Sequence, residues 1–236
     1  MKVIKTCLGI VSILMMLSAC NSNDPDKTTA DLIGSFSLGD NVYVFISKGN
    51  LQYQPSTGIW RFAEHQYDVV YKNGKNIKST DEWIDEYQWG TGNNPLGSGY
   101  DHQFIDWGTN AISNGENKAN LWRTLGSGEW KSLYANNPHE YVSVCGVTGM
   151  IMYPNHFNLP SDIEWELDNN KKKCNAEQWA KLENAGAIFI PALDYWTRTE
   201  KNDNQAYFCD THGYAVKIDD GSRGNTFHVR LVKNVK

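Results

Sequence analysis

The chain is 236 residues long, with 22 Lys and Arg against 27 Asp and Glu and a formal net charge of −5. An acidic chain has no electrostatic reason to bind DNA or anionic lipid headgroups, which argues against a nucleic-acid partner and leaves membrane contact to an anchor alone. Its length fits one large domain or two small ones with a core that needs no staples, and no apolar run is long enough to span a bilayer.

The first residues carry an address. Lys2 and Lys5 precede an apolar stretch from Leu8 to Leu17, and Leu17-Ser18-Ala19-Cys20 closes it. A basic head, a short apolar stretch and small residues before a cut make a secretory signal over residues 1–19. Its cleavage would remove Lys2 and Lys5, so 20 basic residues would face 27 acidic ones and the net charge would move to −7. An ordinary signal ending near a cysteine is the plainer alternative. The four residues ending in Cys20 resemble the lipobox of a bacterial lipoprotein. That resemblance implies lipid attachment at the Cys20 thiol and a further acyl chain on the new amino terminus, because a single chain holds a membrane only marginally. It also implies a lipid-anchored place in the cell envelope, at the outer membrane. Asn21 to Asp26, mildly acidic, resembles a surface-export signal. Residues 20–32 are polar with a proline, a composition expected of a flexible tether.

The folded domain is expected over residues 33–236. Val42 to Ile46 is β-rich. Leu51-Gln52-Tyr53 and Ile59-Trp60-Arg61-Phe62 alternate around the turn Pro55-Ser56-Thr57-Gly58, which predicts a hairpin burying Leu51, Tyr53, Trp60 and Phe62. From Asn73 to Asn120 the chain is rich in Gly, Asn, Asp and Ser yet studded with Trp83, Tyr87, Trp89, Tyr100, Phe104 and Trp107, so a long ordered loop region pinned by rings is expected.

Two main helices follow. The first is expected from Ser127 to Ala135 with Trp130, Leu133 and Tyr134 on one face. The second is capped by Asn175, ends at Gly186 and turns Trp179, Leu182 and Ala185 inward. Lys171 to Lys173 reads as a solvated stretch before it. Short β-type runs come last, at Ala187 to Ile190, Ala206 to Cys209, Tyr214 to Ile218 and Phe227 to Val232, with turns at Asp219-Asp220-Gly221 and Gly224-Asn225. Short antiparallel strands, two helices and long ordered loops make an α+β domain.

Trp122-Arg123-Thr124-Leu125 with Glu129-Trp130, and the closing Val229-Arg230-Leu231-Val232, carry a family resemblance. So do Gly49 to Tyr53, Trp60 to Ala63, Trp89 to Gly92, Asp106 to Gly115, Gly186 to Ala192 and Tyr195-Trp196. In this order the chain resembles the Bacteroides-type surface lipoproteins with a C-type lectin-like fold, related to the Fibrobacter major paralogous domain and distantly to formylglycine-generating enzymes. The resemblance implies a single C-type lectin-like domain. Three departures stand out: Gly126 replaces the usual Thr or Ser, Leu193 and Asp194 alone separate Ala192 from Tyr195, and Leu159 to Glu166 repeats the Trp-motif signature with Ser161 and Glu164 spaced as a capping box.

Chemical motifs are few. The six histidines form no close pair with one another or with cysteine, so no metal ligand set is expected, and no nucleophile elbow or phosphate-binding glycine loop is present. One disulfide is allowed among Cys145, Cys174 and Cys209, with no pair favoured by spacing. Most of the nine tryptophans are expected as core anchors. Trp196 opens a polar stretch between strands and is the exception, as a ligand-facing ring beside Arg198, Asn202, Asp203 and Asn204, whose planar groups suit sugar hydroxyls or a protein surface. The functional expectation is thus a non-catalytic envelope protein, without cofactor, that binds a glycan or surface protein through its late loops, Asp219 to Asn225 included. The rivals are an enzyme, glycan-active through a carboxylate pair such as Glu164 and Asp194 or copper-dependent like the formylglycine-generating type, and a structural component of a surface assembly.

Overall fold

A computed structural model describes residues 32–70, 82–100, 103–168 and 171–235. The signal segment, Cys20, all of the tether except Leu32, and parts of the ring-studded region lie outside these residues. No described helix is long and apolar enough to cross a membrane.

Among the described residues the fold is α+β and mostly β. Strands β1 (Phe36–Ser37), β2 (Tyr43–Ile46), β16 (Leu231–Asn234) and β6 (Arg123–Thr124) form one sheet in that order. Its centre joins the two ends of the domain: Val232 lies opposite Ile46 in an antiparallel pair. A second sheet runs β11 (Ile188–Pro191), β8 (Val147–Met152), β7 (His139–Val144), β10 (Lys171–Cys174) and β9 (Glu166–Asp168). The third runs β14 (Lys217–Ser222), β13 (Gln205–Asp210), β12 (Asp194–Asn202), β15 (Phe227–His228) and β5 (Glu86–Tyr87). The expected hairpin forms from β3 (Leu51–Gln54) and β4 (Ile59–Phe62), with Leu51 opposite Phe62 and Tyr53 opposite Trp60.

Helix α1 (Ser127–Asn136) turns Trp130 and Leu133 into a core cluster with Phe36, Val44, Tyr195 and Val232. Gly126 offers no side-chain cap, and Glu129 compensates by accepting the Gly126 amide at 2.7 Å. Helix α2 (Ala176–Asn184) starts as expected, with Asn175 Oδ1 accepting the Gln178 amide at 3.0 Å, and buries Trp179 and Leu182 against Val142, Ile151 and Phe189. The second copy of the Trp signature carries no helix; it leads instead through a turn, Ile163 N to Pro160 O, into β9.

Several sequence expectations are corrected. Lys171 to Lys173 is strand β10, at the exposed side of its sheet, where Lys173 and Cys174 pair with Ser143 and Val144. The run Phe227 to Val232 is two strands in two sheets, broken where Val229 and Arg230 are buried between them. Asp219-Asp220-Gly221 is no turn: β14 runs through it, as an edge strand fully paired with β13 from Lys217 to Ser222. The largest correction is the polar stretch from Trp196. It is the long strand β12, whose register against β13 shifts between Trp196 and Glu200 and again before Asn202.

Candidate functional site

The nine-residue β12 and its partner β13 meet at a turn, and this tip gathers most of the residues expected to bind. Asn202, Asp203 and Asn204 are exposed there. Asn202 Oδ1 accepts the Asn204 amide at 2.9 Å and its Nδ2 donates to Gln205 Oε1 at 3.0 Å, so the turn is fixed by its own side chain. Beneath it lies Arg223, only 5 % exposed. Its guanidinium donates to Glu200 Oε1 and to the Asn202 carbonyl, sits 4.4 Å above the Trp89 ring, and its amide donates to Asn204 O at 3.0 Å. A planar, multi-donor cation held on an aromatic face is a rigid brace. Lys201 adds a rim ion pair with Asp220 at 2.7 Å.

Trp196 does not belong to this surface. It is fully buried, packed against Phe227 at 4.5 Å between ring centroids, and its indole N–H donates to Tyr87 O at 2.7 Å. Tyr195, Trp196 and Thr197 are all buried, because this half of β12 is covered on both faces, and Trp196 packs beside Ala206, Val229 and Leu231. Arg198 is exposed but faces α1 rather than the tip, with its guanidinium 3.3 Å from Glu129. Glu129 also binds Arg123 at 2.8 Å. Burial raises the Glu129 carboxyl, but Arg123, the Gly126 amide and Arg198 outweigh it and hold the group below its ordinary 4.5.

The aromatic ring at the tip is one that sequence reasoning assigned only a pinning role. Tyr100 is 50 % exposed, shares a hydrogen bond with Ser222 Oγ, and closes on Gly224, where a methyl group would sit 2.7 Å from Tyr100 Cε2. Gly99 closes equally tightly on the Arg223 carbonyl. Only glycine at 224 permits this approach.

No known protein family, characterised protein or solved structure matches the chain.

Other expected chemistry is distributed differently. Cys209 packs with the cluster around α1, apart from Cys174, which packs with α2; exposed Cys145 lies beside Cys174, its amide donating to the Cys174 carbonyl at 2.9 Å, and all three thiols are free. Burial pushes the Cys174 thiol up to about 12 and Cys209 well above its ordinary range. Glu164 is exposed in the irregular segment before β9, whose sheet is not the one that carries Asp194. Asp194 instead pairs directly with Asp210 across β12 and β13 and meets His212. Burial, with Asp210 and Asp219 nearby, holds the Asp194 carboxyl above its ordinary value against the pull of His212. For Asp210, burial works upward but is outweighed by hydrogen bonds from the His212 amide and ring, and its carboxyl is lowered.

Proposed function

We propose that this chain is a lipid-anchored envelope protein whose C-type lectin-like domain binds a glycan or protein ligand at the β12–β13 tip. The observation that carries the reading is the exposed Asn202-Asp203-Asn204 turn, braced from below by buried Arg223 and flanked by half-exposed Tyr100. Amide and carboxylate groups that are already fixed lose little freedom on binding, and a flat ring beside them is the combination a sugar face needs. That pairing favours a glycan over a protein.

The lectin-like assignment is supported by the pairing of β2 with the last strand, β16, by two helices on a mostly antiparallel framework, and by the family-like residues at packing positions, Trp130 and Arg230 among them. The lipid anchor rests on the sequence around Cys20.

Two measurements test the proposal. Cells making the chain and fed labelled palmitate should carry label in it, and Cys20→Ser should abolish the label and release the protein from the membrane fraction; unchanged membrane retention would refute the anchor. An array of envelope and host glycans and of extracellular proteins, probed with the full chain, should return a reproducible ligand class. A blank array in both halves would count against a recognition role.

A further inference from the structure

At the opposite end of β12 from the tip, Asp194, Asp210 and His212 converge, and their donor atoms all lie within 4.8 Å of one another. Asp194 opens the nine-residue strand and Asn202 closes it, so at strand rise the two places are roughly 25 Å apart.

The register builds this arrangement. Asp194 and Asp210 are direct cross-strand partners, where like charges face each other at a cost to the sheet. Thr211, buried between Asp210 and His212, locks the corner. Its one hydroxyl proton is shared between Pro191 O at 2.9 Å and Leu193 O at 2.8 Å, and its oxygen accepts the Leu193 amide at 2.9 Å. The His212 amide donates to Asp210 Oδ1 at 2.9 Å, and Tyr141 holds the His212 carbonyl through its hydroxyl at 2.9 Å. His212 Nδ1 lies 2.9 Å from Asp210 Oδ1 and 3.6 Å from Asp194 Oδ1. Two ligands each about 2.1 Å from one ion, at angles between octahedral and tetrahedral, stand roughly 3.0–3.4 Å apart; the His212–Asp210 hydrogen bond holds one pair just short of that range, and Asp194 would have to move inward to share the ion.

We propose that Asp194, Asp210 and His212 form a site for a divalent transition-metal ion, with zinc as the natural occupant. An imidazole nitrogen with two carboxylates is a donor set for zinc and its first-row neighbours, whereas calcium asks for six to eight oxygens. The nitrogen donor separates the trio from an ordinary acidic patch. Two opposed carboxylates are neutralised together by one divalent ion, which removes the like-charge conflict in the register. The side chains of Asp194, Asp210 and His212 are 31 %, 32 % and 56 % exposed, so the ion would keep positions open to an incoming oxygen ligand. This site is independent of the tip and of the lectin-like reading.

The test uses the untagged full chain in detergent, stripped with chelator and dialysed against Zn2+ with millimolar Ca2+ and Mg2+ present. One equivalent of Zn2+ should bind at micromolar concentration. Asp194→Asn and His212→Ala should each weaken binding at least tenfold, with Asp194→Asn melting no lower than the metal-free parent, while Cys145→Ser and Asp203→Ala leave binding as it was. X-ray absorption at the zinc edge of the unsubstituted protein gives a readout that needs no variant, and it should show nitrogen and oxygen neighbours only. Absence of stoichiometric binding, displacement by Ca2+, binding that survives both ligand substitutions, or sulfur in the coordination shell would each overturn the proposal.

Discussion

Arg230 sets the terms at the scale of single residues. It is 1 % exposed, and its guanidinium reaches Asn50 Oδ1 at 3.1 Å, Gln66 Oε1 at 2.9 Å and Phe189 O at 2.9 Å, tying four distant segments together. Burial pulls its pKa down to about 10, which leaves it charged at neutral pH. Replacing it removes three hydrogen bonds from a buried charged donor, each worth about 1.5–3 kcal/mol, although Asn50 Oδ1 still accepts from the Tyr195 hydroxyl and Gln66 Oε1 from the Phe189 amide. Arg230→Met should therefore cost about 3–5 kcal/mol in urea unfolding, and Arg230→Lys should recover little of it because a single ammonium cannot span the three acceptors. A loss below about 1 kcal/mol would show that the network is not what holds these segments. The cysteines supply a second residue-scale expectation. In the folded protein an alkylating reagent should modify Cys145 quickly and reach Cys174 and Cys209 only on unfolding, as mapped by peptide mass spectrometry, since the first is exposed and the other two are buried.

Elements differ in how plainly the sequence announces them, and the reason is burial. The β3–β4 hairpin and both helices put apolar side chains on one face and carry their own turn or cap, so alternation, helical spacing and Asn175 were sufficient. Beyond Trp196 and Thr197 strand β12 is polar on both faces because it projects from the body, and alternation has nothing to mark there. The same holds for the Lys171 to Lys173 strand. Trp196 misleads for a related cause: the polar residues after it describe the strand's far half, while the ring itself belongs to the near, buried half. The Asp194–Asp210–His212 convergence leaves no trace in sequence spacing, because it depends on a cross-strand register that no local pattern encodes. The start of α1 yields a prediction at this scale. Glu129 holds Arg123, Arg198 and the Gly126 amide together, and its folded pKa lies below the ordinary 4.5. Its stabilisation is then complete above pH 4.5 and is lost as pH falls through the lowered folded value. Melting temperature followed downward from pH 6 should drop more steeply across that window in the parent protein than in Glu129→Gln; parallel curves would remove Glu129 from the account.

At the scale of the whole molecule, the tryptophans explain why the proposed ligand surface is polar. Trp60, Trp89, Trp107, Trp130, Trp179 and Trp196 are all buried, so large rings serve as the interior of a fold whose strands are short. The surface proposed for recognition is the projecting β12–β13 tip and the half-exposed Tyr100 beside it. Trp196→Ala would open a core cavity costing about 3–5 kcal/mol, so it reports on folding and is unsuited to probing binding. The most direct test replaces Tyr100, Asn202, Asp203 and Asn204 together by alanine, leaves Arg223 and the core untouched, and measures affinity for the ligand class returned by the array. The account predicts at least a tenfold loss of affinity with the melting temperature unchanged; affinity retained in that folded variant would contradict it.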